Sequence, residues 1–263
     1  MTLELEEMPD APASTYVLGV RVDRVTREQA LERIERMISA NRAAAGAGTE
    51  RCQQVVTVNT EFVMAAQRNS EFREAINRAA LVVADGIGIV WASYPGKARV
   101  PERITGTDTV EALAKRCAVK GYRMYLLGAA PGVAEQAAAR LQAIAPGLAI
   151  AGTFAGSPAP DEEDAILERI RVAEADVLCV AYGAPAQDLW IYRNLARLPV
   201  AVAMGVGGAF DFLSGRQRRA PRIMQRLGLE WLYRLYREPW RWKRMLAIPR
   251  FMLYVLVKGR RSR

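Results

Sequence analysis

From residue 16 to about 212, short apolar runs rich in β-branched residues alternate with stretches of helical periodicity. The runs at 16–22, 54–58, 81–84, 123–127, 149–153, 177–181 and 200–204 read as strands. Several are apolar at almost every position, as expected of parallel strands covered on both faces. Between them, Thr26 followed by Gln29 is a capping-box pattern that opens a helix over 27–40. Asp108 is placed to cap a helix over 109–120, and Pro131 sits near the start of another over 132–145. Alternating strands and helices joined by short connections predict an α/β fold: a Rossmann-like, mainly parallel sheet with helices on both faces. Ala43 to Gly48 reads as the loosest internal loop.

After Gly215 the pattern changes. The remaining 48 residues contain no convincing strand and are rich in arginine, tryptophan and tyrosine. They read as two or three helices, broken near Pro239 and Pro249. The predicted organisation is therefore a Rossmann-like core over 1–215 and a basic, aromatic helical appendage over 216–263.

Charge sharpens that division. The 263-residue chain carries 37 Lys/Arg against 28 Asp/Glu, a net of +9. Residues 216–263 hold 15 of the basic residues and only Glu230 and Glu238, a net of +13, which leaves −4 on the first 215 residues. The high isoelectric point thus belongs to one segment and points to a dedicated anionic partner. Arginine forks bind phosphate oxygens and tryptophan and tyrosine settle at membrane interfaces, so an anionic membrane surface is expected. The core carries no RNA-binding signature, so no nucleic-acid partner is expected.

The longest apolar stretch, 245–257, is too short to span a bilayer. The acidic, polar N-terminus lacks the pattern of a signal peptide, and the three scattered cysteines suit a reducing compartment. Together these predict a cytoplasmic protein, peripheral on the inner face of the membrane. A homo-oligomer that hides the apolar tail is also compatible with this pattern.

The chain contains no histidine. That removes the commonest general base and the commonest metal ligand, and with them any Ser-His-Asp or Cys-His mechanism. Acid–base work falls to Asp, Glu, Lys, Tyr or Cys. No Asp-x-Asp triplet occurs, so no obligatory metal and no other cofactor is expected. The acidic run Asp161 to Asp164 reads as first-turn residues favoured by the helix dipole.

Candidate chemistry collects at strand ends, where parallel sheets place ligands. Thr57 to Glu61, with Asn59 between them, end one strand and enter a helix; the alternative is that Thr60 and Glu61 are only a helix cap and a first-turn acid. Asp85, followed by Gly86 and Gly88, follows the next, and without histidine it is the best general-base candidate; capping a helix is again the alternative. Three glycine turns offer backbone N–H groups to a phosphate: Gly128 to Gly132, Gly183 to Gln187, and Gly205 with Gly207, followed by Asp211.

In order along the chain, Thr57-x-Asn59-x-Glu61, Ala84-Asp85-Gly86, Arg103-x-Thr105-Gly106-x-Asp108, Leu127-Gly128-x-x-Pro131-Gly132, Gly183-x-Pro185-x-Gln187 and Gly205-Val206-Gly207-x-x-Phe210-Asp211 are followed by Arg219-Ala220-Pro221 and Gly228-Leu229-Glu230-Trp231. This set resembles the WecG/TagA/CpsF family of bacterial glycosyltransferases over about residues 16–250. The resemblance implies an inverting transferase that moves a hexose or N-acetylhexosamine from a UDP-sugar to an undecaprenyl-diphosphate-linked sugar in cell-surface polysaccharide synthesis. It implies Asp85 as catalytic base, with Thr57, Asn59 and Gln187 lining the active site. The glycine turns and Asp211 would receive the donor. The appendage would close over the site and touch the membrane, with Arg103, Arg234, Arg241 and Arg244 on the acceptor side.

One departure stands out: Pro185-Ala186-Gln187-Asp188 occupies a place where the family often has Pro-Lys-Gln-Glu. It bears on which sugar is used and leaves the fold and reaction type untouched. The competing readings are a nucleotide-linked oxidoreductase, which lacks its dinucleotide fingerprint here, and a non-catalytic membrane-surface or nucleic-acid binding module.

Overall fold

The computed structural model describes residues 12–45, 51–94 and 98–258. The first 11 residues and the second half of the loop at 43–48 lie outside the described residues. The centre is a six-stranded parallel sheet of β3 (Gln53–Val58), β4 (Leu81–Ala84), β5 (Arg123–Gly128), β6 (Ala149–Phe154), β7 (Val177–Ala181) and β8 (Val202–Gly205), in the spatial order β4-β3-β8-β7-β5-β6. The apolar runs become strands because their side chains are buried on both sides: every residue of β4, β7 and β8 is buried. β6 lies at the edge and is only partly covered.

Successive residues point to opposite faces, and each face has its own helices. Val55, Val83, Met124, Cys179 and Met204 meet helices α1 (Arg27–Ala43), α5 (Gly106–Lys120), α6 (Val133–Ile144) and α9 (Ala209–Leu213). On the other face, Val56, Val58, Val82 and Ala84 meet α2 (Thr60–Ala66), α3 (Ser70–Arg78) and α4 (Ile87–Ser93). Further along that face, Leu127, Leu178, Val180 and Ala203 meet α7 (Glu163–Ala173) and α8 (Ala186–Asn194), where Trp190 is fully buried. The Rossmann-like reading of the fold therefore holds.

Two local expectations are corrected. The run at 16–22 is not a sheet strand but an antiparallel hairpin of β1 (Ser14–Val17) and β2 (Val20–Asp23) beside the sheet. Its two-residue turn puts Leu18 and Gly19 at φ 52° and 78°, the left-handed pair that a tight hairpin requires; Leu18 accepts this while packing on the core. Second, α5 is capped by Thr105, whose hydroxyl accepts from the Asp108 N–H, so Asp108 sits one turn inside the helix. The break expected near Pro249 is found at Leu246: one tail helix ends at Met245 and the last begins at Ala247, so Pro249 falls in a first turn, where a missing N–H is harmless. The Thr26–Gln29 capping box is formed on both sides, and the acidic run at 161–164 opens α7.

The tail forms α10 (Arg222–Arg226), α11 (Glu230–Arg237), a 3-10 turn at Pro239–Arg241, α12 (Trp242–Met245) and α13 (Ala247–Lys258). It folds back onto the core: Phe251 is fully buried in the cluster that holds Val58 and Phe62. Among the described residues, no helix is long and apolar enough to cross a membrane.

Candidate active site

β3 and β8 are neighbours whose outgoing connections leave toward opposite faces of the sheet, β3 into α2 and β8 into α9. Such a switch point opens a crevice at the carboxyl ends of the strands. A cleft of about 360 Å³ lies there, walled by the tips of β3, β4, β7 and β8 and roofed by the tail.

Each strand delivers its polar residue for a local reason. Thr57 is buried within β3. Asn59 caps α2, its Oδ1 accepting from the Glu61 and Phe62 N–H groups at 2.9 and 3.1 Å. It therefore serves as a cap and lines the cleft at once. Asp85 follows β4 directly, its N–H bonded to the Val58 carbonyl at 2.8 Å. It opens to the cleft but is largely enclosed. Burial pushes its carboxyl up to about 7, against the pull of Arg103, Arg234 and the Gly106 N–H; Glu230 adds to the rise. A methyl on Gly106 would stand 3.6 Å from the Thr57 hydroxyl and 4.0 Å from an Asp85 oxygen, so both groups border the start of α5.

Gln187 is buried, and its Oε1 accepts from the Gly183 N–H at 3.1 Å and the Gly207 N–H at 2.9 Å. It clamps the turn after β7 to the turn after β8. Those two N–H groups are consequently engaged within the protein, while both glycines still line the cleft with Asp211. Gly205 lies beneath, where a Cβ would come within 2.6 Å of Gln187 and Asp188; its smallness is a packing requirement. Gly128 and Gly132 lie on the tip of β5, beyond the cleft lining.

The tail supplies the cationic wall. Arg234 lies with its guanidinium 4.5 Å over the Phe212 ring, near Asp211. Arg244 pairs with Glu61 at 2.8 Å. Arg103 lies behind the lining and pairs with Glu230 at 2.6 Å. Arg219 pairs with Asp108 at 2.5 Å and reaches Glu230 at 3.7 Å. Burial alone would raise Asp108, but Arg219 and the Thr105 hydroxyl hold it below the usual carboxylate range. The side chain of Arg241 lies outside the described residues. The roles of Arg219 and Glu230 escaped the sequence reading, although both fall in its quoted motifs; nothing local marks a tail residue as part of a cleft 100 residues upstream.

The arrangement offers a carboxylate able to take a proton near neutrality, in a polar cleft ringed by guanidinium groups. That is the equipment for deprotonating a hydroxyl and stabilising phosphate charge.

The profile described as "Glycosyl transferase WecG/TagA/CpsF family" matches residues 15–263. An N-acetylglucosaminyldiphosphoundecaprenol N-acetyl-beta-D-mannosaminyltransferase of Bacillus subtilis (strain 168) is 36% identical over 202 residues, 77% of this chain and 78% of the relative. The protein of the same description from Bacillus spizizenii (strain ATCC 23059 / NRRL B-14472 / W23) is 35% identical over 208 residues, 79% of this chain and 80% of that one.

Proposed function

This chain belongs to the WecG/TagA/CpsF family of glycosyltransferases, and on that premise we propose that it moves a hexose or N-acetylhexosamine from a UDP-sugar to a sugar carried on undecaprenyl diphosphate. The observation that carries this reading is Asp85: an enclosed carboxyl pushed up to about 7 by burial, at a strand tip inside an arginine-walled cleft. The names of the two relatives support the acceptor class.

The reaction is a single displacement with inversion. The acceptor hydroxyl oxygen attacks the anomeric carbon, the bond from that carbon to the UDP oxygen breaks, and Asp85 takes the hydroxyl proton. Gln187 holds the turns at 183 and 207 so that the donor meets a fixed wall. Arg234 and Arg244 face the cleft and offset charge on the diphosphates, and the exposed aromatic and aliphatic residues of the tail rest on the inner face of the membrane.

The test is UDP release from a panel of UDP-sugars, with and without a short-chain polyprenyl-diphosphate-sugar acceptor. Acceptor-dependent release from one donor is expected. General-base catalysis typically contributes about 10²–10⁴-fold, so Asp85→Asn should lower turnover by that factor while UDP affinity stays close to that of the native protein. Release that needs no acceptor, or an Asp85→Asn variant with native turnover, would overturn the proposal.

A further inference from the structure

An arginine of the core whose charge acts on the proposed base is held by a carboxylate of the tail. Glu230, the first residue of α11, bonds Arg103 at 2.6 Å and lies 3.7 Å from Arg219, which in turn bonds Asp108 at 2.5 Å. Glu230 and Arg219 line the same cleft as Asp85. Both members of the Arg103–Glu230 pair are mostly buried, with side chains 19% and 23% exposed, so solvent screens the pair only partly. Among the described residues, no ion pair joins Asp85 to Arg103.

We infer that Glu230 is a positioning residue for the proposed base: it holds the Arg103 guanidinium in its own pair and so keeps Asp85 from being locked into a salt bridge. The inference rests on Asp85 acting as the base. A carboxylate paired directly with an arginine is a poor proton acceptor, because the pair stabilises its ionised form. An Asp85 without such a pair keeps its basicity.

The groups that bear on Asp85 are few. Arg103 before α5 and Arg234 on α11 pull its pKa down, the Gly106 N–H does the same, and Glu230 pushes it up. Around the rest of the cleft lie Glu61 with Arg244, Asp211, and Arg219 with Asp108. Glu230 alone touches both sides of this balance. Its charge raises Asp85, and its pair restrains the strongest cation acting against Asp85.

The sign follows. Activity rises with pH as Asp85 ionises, so a lower Asp85 pKa moves the acidic limb of kcat/KM to lower pH. The full chain is assayed from pH 5 to 9 with the UDP-sugar and short-chain acceptor of the turnover test. Glu230→Gln removes one neighbouring charge and frees Arg103. The limb is expected to fall by one pH unit or more, within the about 1–3 units that a nearby charge commands. The plateau kcat should drop as the base weakens, with donor KM within twofold. Glu230→Asp, which keeps the charge, should restore most of the limb.

Arg103→Gln should raise the limb. Adding Glu230→Gln to it should move the limb down by less than half as much as Glu230→Gln does alone, because no guanidinium remains to be released. That double variant is read against Arg103→Gln, so it decides the matter even if the single variant fails to fold. A native limb in folded Glu230→Gln, or a full-unit fall in the double variant, overturns the inference. If Asp85→Asn keeps native turnover, the base assignment itself fails; if it is inactive while the Glu230 limb is unmoved, only this inference fails.

Discussion

Gly128 and Gly132 flank the same turn, and substituting each by alanine should separate packing from backbone strain. Gly128 ends β5 at φ 101°, directly opposite Ala181 of β7. A methyl group there would stand 2.8 Å from the Ala181 carbonyl carbon and 3.0 Å from its nitrogen and oxygen. All three are backbone atoms, so no rotamer change can relieve the contact. Holding alanine in a left-handed conformation costs about 1–2 kcal/mol, and overpacking adds about 1–3 kcal/mol. Gly128→Ala should therefore cost roughly 2–5 kcal/mol.

Gly132 has φ 82° but nothing within 4 Å of an added methyl, so Gly132→Ala should cost only the conformational part, about 1–2 kcal/mol. At about 2–4 °C per kcal/mol for a chain of this size, the first variant should lose about 4–20 °C in Tm and the second about 2–8 °C. Paired thermal unfolding of the two variants is the assay. Since Ala181 leads into the Gly183 turn held by Gln187, Gly128→Ala should also weaken UDP binding. Equal losses in Tm would refute the reasoning, because they would mean that the β5–β7 contact yields without cost.

Asp188 is fully buried, and burial pushes its carboxyl up to about 7 although the neighbouring Gln187 amide offsets part of the rise. The folded state therefore keeps a proton that the unfolded chain loses above its ordinary pKa near 4. Its contribution should make stability fall from about pH 4 to pH 7 and level off above, by up to roughly 4 kcal/mol at 1.36 kcal/mol per unit; denaturant melts of Asp188→Asn should show a shallower fall, with the buried Asp85 still contributing to it, and a pH profile parallel to the native one would exclude the Asp188 contribution. Gln187→Ala removes the acceptor of two N–H groups and should weaken UDP binding about tenfold, the scale of one hydrogen bond; unchanged calorimetric affinity would show that the two turns need no clamp.

Leu253 and Leu256 on α13 are 60% and 58% exposed. Changing both to glutamate should cut sedimentation with anionic vesicles at least tenfold, since a buried leucine is worth about 1.5–3 kcal/mol, and undiminished sedimentation would remove α13 from the membrane contact. Burial pushes Cys52 and Cys179 up to about 12 and Cys117 higher still. Ellman's reagent at pH 8 should therefore label all three only after denaturation, and one fast thiol in the native protein would contradict their burial.

The elements that local pattern could reveal were legible from the residues. Continuous apolar runs such as 81–84 and 177–181 mark strands covered on both faces. The Thr26–Gln29 box is complete within four residues, and Asp85 stands one residue past an apolar run. These signals are short-range, so the sequence alone determined an α/β core with polar strand tips, and it also determined that any base must be something other than histidine.

Tertiary structure decided the rest. The run at 16–22 is apolar like a sheet strand, but nothing local says that Leu18 will turn the chain back on itself. Phe251 lies in a segment that reads as appendage, yet its ring is fully buried in the core. Gln187 looks like one more residue of a glycine turn until β7 and β8 bring Gly183 and Gly207 within reach of one oxygen. Arg103 and Glu230 are 127 positions apart, and Glu61 and Arg244 are 183 apart. Such pairs depend on strand order and on where the tail docks, which follow from burying the whole apolar surface at once. A window of a dozen residues carries the period of an element but not its neighbours, and this cleft is built from neighbours.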